Sequence, residues 1–159
     1  QKTAYELSLG LVGSEMCIRD SLHIKDKENL SLDLYRIIKP GGFLCVSDWM
    51  RIDDNPPSEN MKKYIELEGL SMEMCSLQRY SNALKEAGFM NIQINDRNLW
   101  YLGLAKKELS DLKTIYREKL NQILGVEDTE LTIKSWAKMV EVIEQGEHRP
   151  VHFYAEKPL

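Results

Sequence analysis

The chain has 159 residues, of which 43% are apolar and 29% charged, and its net charge is −4. This length supports one domain with a buried core, and the charge does not point to nucleic acid or to an anionic membrane surface. No apolar run is long enough to span a membrane. The three cysteines are widely spaced and form neither a disulfide framework nor a zinc motif. We therefore expect a cytoplasmic protein without a metal centre.

The first 21 residues differ in character from the rest of the chain. Gly10 and Gly13 do not make a G-x-G-x-x-G loop, and the segment ends in the letters CIRDS. It resembles translated sequencing-adapter sequence. We therefore predict that residues 1–21 are not native and that residues 22–159 are the C-terminal part of a longer domain. The alternative is a genuine short helix that covers a sheet.

The central feature of the sequence is residues 39–50 (KPGGFLCVSDWM), which follow a helical pattern over 27–38. Pro40 cannot continue a helix, and Gly41 and Gly42 permit a sharp turn. The apolar run that follows predicts a strand over 43–48, covered on both faces. Asp48 and Trp49 then lie at its carboxyl end, where open α/β sheets bind their ligands.

The remaining residues predict further helices and two more strands. Ser76 is a candidate N-cap and Gly88 a helix end, while Asp128 and Gly146 bound the last helix. Residues 99–124 fit either one long helix or two, and 99–146 form a helical insert. The predicted helices cover 58–74, 76–88, 99–124 and 128–146, and the predicted strands cover 91–97 and 151–157.

The KPGG turn and the strand after it resemble the fifth strand of a class I S-adenosylmethionine (SAM)-dependent methyltransferase. Residues 22–27 (LHIKDK), the turn and the Asp48-Trp49 pair are together similar to phosphoethanolamine N-methyltransferases and to glycine, sarcosine and dimethylglycine N-methyltransferases. The resemblance implies an α/β fold, a truncated Rossmann-like sheet of about three strands with the last antiparallel, and several helices. The insert would build a substrate lid.

The same resemblance implies roles for three residues. His23 would be catalytic, orienting the amine and helping to deprotonate it, since methyl transfer needs an uncharged nitrogen. Trp49 would bind substrate by holding a methylated ammonium against its ring, and Asp48 would shape the pocket. The alternatives are a histidine that only bonds a backbone carbonyl, a tryptophan of the core and an aspartate that caps a loop.

Two positions depart from the phosphate-binding pattern of the phosphobase enzymes. Glu68 and Met139 stand where that group has an arginine and a lysine. A carboxylate repels phosphate, so Glu68 predicts a cationic amine, although Lys138 restores an anion site if the register shifts by one. Arg149 and His152 are further candidates for holding a carboxylate. The alternative for each is a structural or solvated side chain.

The cofactor implied is SAM, but the chain has no glycine-rich loop to hold it. We predict a SAM-dependent methyltransferase acting on a small-molecule amine, of the sarcosine/dimethylglycine or phosphobase type, inactive as this fragment. An open apolar edge on the 43–48 strand would favour self-association. The alternatives are a methyltransferase for a quinone or natural-product hydroxyl, and a non-enzymatic α+β pseudo-enzyme or binding module.

Overall fold

The structure is a computed structural model and describes residues 15–18 and 21–159. A 3-10 turn, Ser21–His23, precedes the first helix. The helices are α1 Lys27–Ile37, α2 Glu59–Glu68, α3 Leu77–Glu86, α4 Asn98–Lys113, α5 Arg117–Leu124 and α6 Val126–Glu144. The strands are β1 Glu15–Ile18, β2 Phe43–Met50, β3 Met90–Asp96 and β4 Arg149–Glu156.

The strands form one sheet in the order β1-β2-β4-β3. Strand β4 is antiparallel to both of its neighbours, with Leu44 opposite Ala155 on β2. Strand β1 is parallel to β2, with Glu15 opposite Leu44 and Ile18 opposite Ser47. The three predicted strands and the antiparallel last strand are confirmed, and β2 has a neighbour on each side.

The edge of β2 that was predicted to be open is occupied. The backbone of β1 pairs with β2 from Leu44 to Ser47, because an unpaired strand edge offers hydrogen-bonding groups to any extended segment beside it. The prediction of an open edge on β2 is therefore wrong, and self-association remains a prediction. Strand β1 falls within residues 1–21, and whether that segment is native remains a prediction.

Strand β2 is covered on one face and not on both. Leu44, Val46 and Met50 are buried beneath α1 and α3, whereas Phe43 on the opposite face is 43% exposed. The prediction of two covered faces is wrong, because an apolar run does not reveal which neighbours will lie above it. Phe43 instead stacks on Tyr154 of β4 at 5.9 Å between ring centroids.

Two apolar clusters make up the core. The first lies between the sheet and helices α1 and α3, and it includes the buried face of β4 (Val151, Phe153 and Ala155) that the alternating pattern predicts. The second lies between α2, α4 and α6, beyond the carboxyl end of β2; its fully buried members include Met61, Ala105 and Val142. This second cluster supports the candidate site.

Helix boundaries differ from the predictions in two places. Helix α2 ends at Glu68, because Gly69 takes a left-handed conformation (φ 65°) that stops it well before residue 74. Helix α6 starts at Val126, so Asp128 lies inside its first turn and does not cap it. Ser76 caps α3 as predicted, and residues 98–124 form two helices.

Among residues 15–18 and 21–159, no helix combines the length and apolar character required to cross a bilayer.

Candidate functional site

Asp48 holds the Ser21–His23 turn against the carboxyl end of β2. Asp48 is buried, with 3% of the residue exposed. One oxygen accepts from Ser21 Oγ at 2.5 Å and from the Leu22 amide at 3.0 Å, and the other accepts from the Trp49 amide at 2.8 Å. These bonds occupy the carboxylate, so Asp48 positions the turn that carries His23.

The side chain of Lys27 also holds this turn in place. Its side chain is fully buried, and Nζ donates to the carbonyl oxygens of Ser21 and Ile24. Burial lowers the pKa of Lys27, an effect opposed by the nearby Cys75 and Asp48. Sequence reasoning missed this role, although Lys27 directly follows Asp26, the N-cap of α1.

His23 is exposed, and a hydrogen bond sets the orientation of its ring. Nδ1 lies 2.7 Å from the carbonyl oxygen of Ser71, in the loop after α2. Because a carbonyl only accepts, Nδ1 carries the proton in the neutral ring, and Nε2 keeps its lone pair. A hydrogen bond to a backbone carbonyl was the structural alternative for His23. The same bond also leaves the ring in the tautomer that a general base needs.

A second hydrogen bond fixes the turn to the same loop. The Leu22 carbonyl accepts from the Glu73 amide at 2.7 Å. The turn is thus held by a strand end, by a buried lysine and by the 69–75 loop. A histidine supported on three sides has a defined position at the ligand-binding edge of the sheet.

Trp49 belongs to an aromatic cluster supplied by three elements and by the segment before β4. Its ring stacks on His148 with centroids 3.8 Å apart and planes 8° from parallel, and Tyr101 of α4 meets it edge-on at 5.1 Å. Tyr64 of α2 meets His148 edge-on at 5.1 Å between ring centroids, with its hydroxyl 3.5 Å from Nε2. His148 therefore covers one face of the indole and fixes its plane.

His148 was not predicted as part of the site. It is 2% exposed, and its Nδ1 has no hydrogen-bond partner among the described residues. Burial lowers the pKa of His148 from 6.5 to about 3. Burial, together with the nearby Glu68, raises the pKa of Tyr64. At neutral pH the cluster is thus uncharged and lies beside a carboxylate, which suits a cationic ligand.

We expect His148 to make the protein sensitive to acid. In the unfolded chain His148 binds a proton near pH 6.5, but in the folded chain only near pH 3, so its contribution to stability is present above pH 6.5 and is lost as the pH falls through this window. From about pH 7.5 to about pH 4.5 the loss is about 2–3 kcal/mol. Urea titrations at pH values across this range give the unfolding free energy as a function of pH. His148→Phe should lack this pH-dependent loss, while the exposed-site control His152→Gln should keep it. An equal change of unfolding free energy with pH in the two variants and the unaltered protein would contradict the assignment.

Glu68 and Lys138 lie between α2 and α6. The Glu68 carboxylate accepts from Ser135 Oγ, and Lys138 Nζ donates to Asn60 Oδ1 at 3.3 Å and to Glu141 Oε2 at 2.5 Å. Glu141 offsets the charge of Lys138, and Met139 is buried in the core. These contacts weaken the hypothesis of an anion site here, and both residues remain predictions as substrate ligands.

Arg149 and His152, the other candidates for holding a carboxylate, have different surroundings. Arg149 pairs with Asp96 of β3, and His152 is exposed on the open face of the sheet, opposite Ser47. Neither belongs to the cluster around Trp49. Of the predicted residues, Asp48 holds the turn that carries His23 at the carboxyl end of β2, whereas the Trp49 ring packs with His148 and Tyr101.

The described glycines do not form a SAM-binding loop. Five have positive φ angles, and each lies in a turn or just after a helix; they are Gly41, Gly69, Gly88, Gly125 and Gly146. The side chains of Leu159 and Tyr35 closely approach Gly41 and Gly88. The described residues contain no group of three or more metal-ligating side chains.

Comparison with known proteins supports the fold and the resemblance. No protein-family model matches the sequence. The chain is 29% identical over 136 residues to phosphoethanolamine N-methyltransferase 1 of Zea mays, and the match covers 86% of this chain and 26% of that protein. It is 30% identical over 128 residues to the phosphoethanolamine N-methyltransferase of Triticum aestivum, covering 80% of this chain and 25% of that protein. The chain spans about a quarter of the length of these relatives.

Solved structures of methyltransferases have a similar fold. A Haemonchus contortus phosphoethanolamine N-methyltransferase 2, in complex with phosphomonomethylethanolamine and S-adenosylhomocysteine, matches with a TM-score of 0.79 and 20% identity, over 92% of this chain and 33% of that chain. A candidate sarcosine dimethylglycine methyltransferase from Galdieria sulphuraria matches with a TM-score of 0.72 and 18% identity, over 91% of this chain and 52% of that chain. The fold is that of class I methyltransferases, as predicted.

Proposed function

We propose that this chain supplies the methyl-acceptor side of a SAM-dependent methyltransferase that acts on a small-molecule amine. The observation that carries the proposal is the hydrogen bond between His23 Nδ1 and the Ser71 carbonyl, 2.7 Å long. It leaves Nε2 of an exposed histidine as a proton acceptor at the carboxyl edge of the sheet, where this class of fold binds its ligands. The relatives compared above, by name, methylate an amine nitrogen.

The chemistry assigned to His23 is the removal of one proton. An ammonium nitrogen has no lone pair and cannot attack a methyl group, so the amine must lose a proton first. His23 Nε2 accepts that proton while Nδ1 stays bonded to Ser71, and the nitrogen lone pair becomes free. Asp48 and Lys27 keep the histidine in place through the Ser21–His23 turn.

Trp49 would form the wall against which the amine lies. His148 covers one face of the indole, and Trp49 is partly exposed elsewhere. A methylated ammonium against the exposed part gains a cation–π attraction of about 0.5–2 kcal/mol. Because His148 is uncharged, it does not oppose that cation. Glu68 adds a negative charge near Tyr64, which favours an amine over an acceptor that carries phosphate.

Replacing Glu68 by glutamine should weaken the binding of cationic acceptors. Glu68 is exposed, so solvent screens its charge, and we expect KM to rise about 2- to 5-fold with kcat unchanged. Steady-state kinetics of the complete gene product would measure this, with Glu59→Gln, at the other end of α2, as the matched control. A lower KM for an amine acceptor in Glu68→Gln would contradict the proposed attraction.

Methyl transfer to a panel of acceptors tests the proposal. The product of the complete gene would be incubated with radiolabelled SAM and with glycine, sarcosine, dimethylglycine, ethanolamine, phosphoethanolamine, a quinone or a phenol. We expect label on amine nitrogen. Label on oxygen alone would favour the quinone or hydroxyl enzyme, and no label on any acceptor would favour a non-enzymatic module.

We further propose that SAM is held by residues other than those described, and that the reaction takes place in the cytoplasm. The 159-residue chain on its own should then show weak or no SAM binding in calorimetry and no turnover. Saturable binding by the chain alone, at the affinity of the complete gene product, would overturn this part of the proposal.

A further inference from the structure

A buried ion pair lies beside the aromatic cluster around Trp49, and the mechanism proposed above does not use it. Arg51 directly follows β2, and Glu147 lies in the segment between α6 and β4. Arg51 Nη2 is 3.1 Å from Glu147 Oε2, and the two side chains are only 9% and 12% exposed. It is the least exposed ion pair among the described residues. Solvent therefore screens this pair little, and it holds its two segments firmly together.

The same carboxylate also holds the start of α2. Glu147 Oε2 accepts from the backbone amide of Ser58 at 3.0 Å, and Ser58 is the N-cap of α2. Arg51 Nη1 donates to the carbonyl oxygen of Asn55 at 2.6 Å, in the loop that leads to this helix. The end of β2, the start of α2 and the segment before β4 thus meet at one carboxylate.

Each of these three parts of the chain supplies one ring of the aromatic cluster. Trp49 lies two residues before Arg51, and His148 directly follows Glu147. Tyr64, which meets His148 edge-on, belongs to α2, the helix whose N-cap is bonded to Glu147. Because each of the stacked rings is within two residues of the pair, a displacement of the pair would change how Trp49 and His148 stack.

We propose that Arg51 and Glu147 are positioning residues for the methyl acceptor. They act through His148, which they hold against Trp49, and so they set the place of the indole that receives the ammonium group. Neither of the two residues touches the acceptor. The inference rests on the proposed function, because it concerns the wall that Trp49 forms.

Steady-state kinetics of the complete gene product test the proposal, with the best acceptor from the panel. The double variant Arg51→Met with Glu147→Gln removes both charges, so neither is left buried alone. We expect KM for the acceptor to rise about 2- to 30-fold, the range that corresponds to the loss of one cation–π contact. KM for SAM should not change, because other residues hold SAM. Glu147→Gln alone keeps an oxygen acceptor for Ser58 and should give a smaller rise.

A second ion pair provides the matched control. Arg117 of α5 pairs with Glu130 of α6, and both side chains are about half exposed. Arg117→Met with Glu130→Gln should change neither KM. An unchanged acceptor KM in the Arg51 and Glu147 double variant, or an equal rise in both KM values, would overturn this inference alone. Absence of methyl transfer by the unaltered protein would instead count against the proposed function.

Fluorine NMR of the 159-residue chain, labelled with 5-fluorotryptophan, tests the placement of the indole without an activity assay. The chain has three tryptophans, Trp49, Trp100 and Trp136, and Trp49→Phe assigns the signal of interest. In Glu147→Gln and in the double variant we expect the Trp49 signal to shift and the other two to stay in place. An unchanged Trp49 signal would overturn the inference, as would a shift of all three, which would indicate a general loss of structure.

Discussion

His23→Gln is expected to lower kcat/KM for amine methylation by about 10²- to 10⁴-fold near neutral pH. Glutamine has no basic nitrogen, so proton removal is lost, while the bonds from Asp48 and Lys27 still hold the turn. The complete gene product is the enzyme to assay, with radiolabelled SAM and the best acceptor from the panel.

The dependence of this loss on pH separates a base from a structural histidine. Above about pH 10 a simple amine is deprotonated in bulk solvent, so the enzyme needs no base and the deficit of His23→Gln should shrink. His152→Gln, a change on the open face of the sheet, is the matched control and should retain full activity at each pH. A deficit that is constant from neutral to alkaline pH would mean that His23 only supports the fold.

Lys27→Met is expected to lower the free energy of unfolding by about 2–5 kcal/mol. Methionine fills the space of the buried side chain, but it cannot donate to the carbonyl oxygens of Ser21 and Ile24. The partly buried Ile24 carbonyl then loses this donor, and the Ser21 carbonyl keeps only its bond from the Ile24 amide. Urea denaturation followed by circular dichroism would measure the change.

Lys25→Met provides the comparison, since Lys25 is an exposed lysine two residues away. It should change the unfolding free energy by less than about 0.5 kcal/mol. Hydrogen exchange should also show faster exchange of the Leu22 amide in Lys27→Met, because the turn is held less firmly against Asp48. Equal stability of the two variants would show that Lys27 does not brace the turn.

The parts of the fold that were predictable are those with local causes. The KPGG turn ended α1 and started β2 because proline and glycine act within a few residues, and the alternation of Val151 and Phe153 with His152 assigned the faces of β4. Helix α2 was predicted too long. Leu70, Met72 and Met74 continue a helical spacing, but Gly69 stops the helix, and both methionines pack on the second core cluster from a loop.

The site was predictable only in part, for a similar reason. His23, Asp48 and Trp49 are near a strand end, so the sequence placed them at the ligand-binding edge. Their partners come from far along the chain: Ser71 is 48 residues from His23, and His148 approaches Trp49 from the segment before β4. No sequence spacing reports such contacts, although a histidine between the helix-ending Gly146 and the last strand was a signal to consider.

The tautomer of His23 is the most direct test of the account. Long-range ¹H–¹⁵N correlation spectra of the ¹⁵N-labelled chain, with His23→Gln used to assign the signals, distinguish the two ring nitrogens. With the ring neutral, we expect Nδ1 to carry the proton, bonded to Ser71, and Nε2 to be unprotonated. A proton on Nε2 and a bare Nδ1 would contradict the geometry on which the proposed amine deprotonation rests.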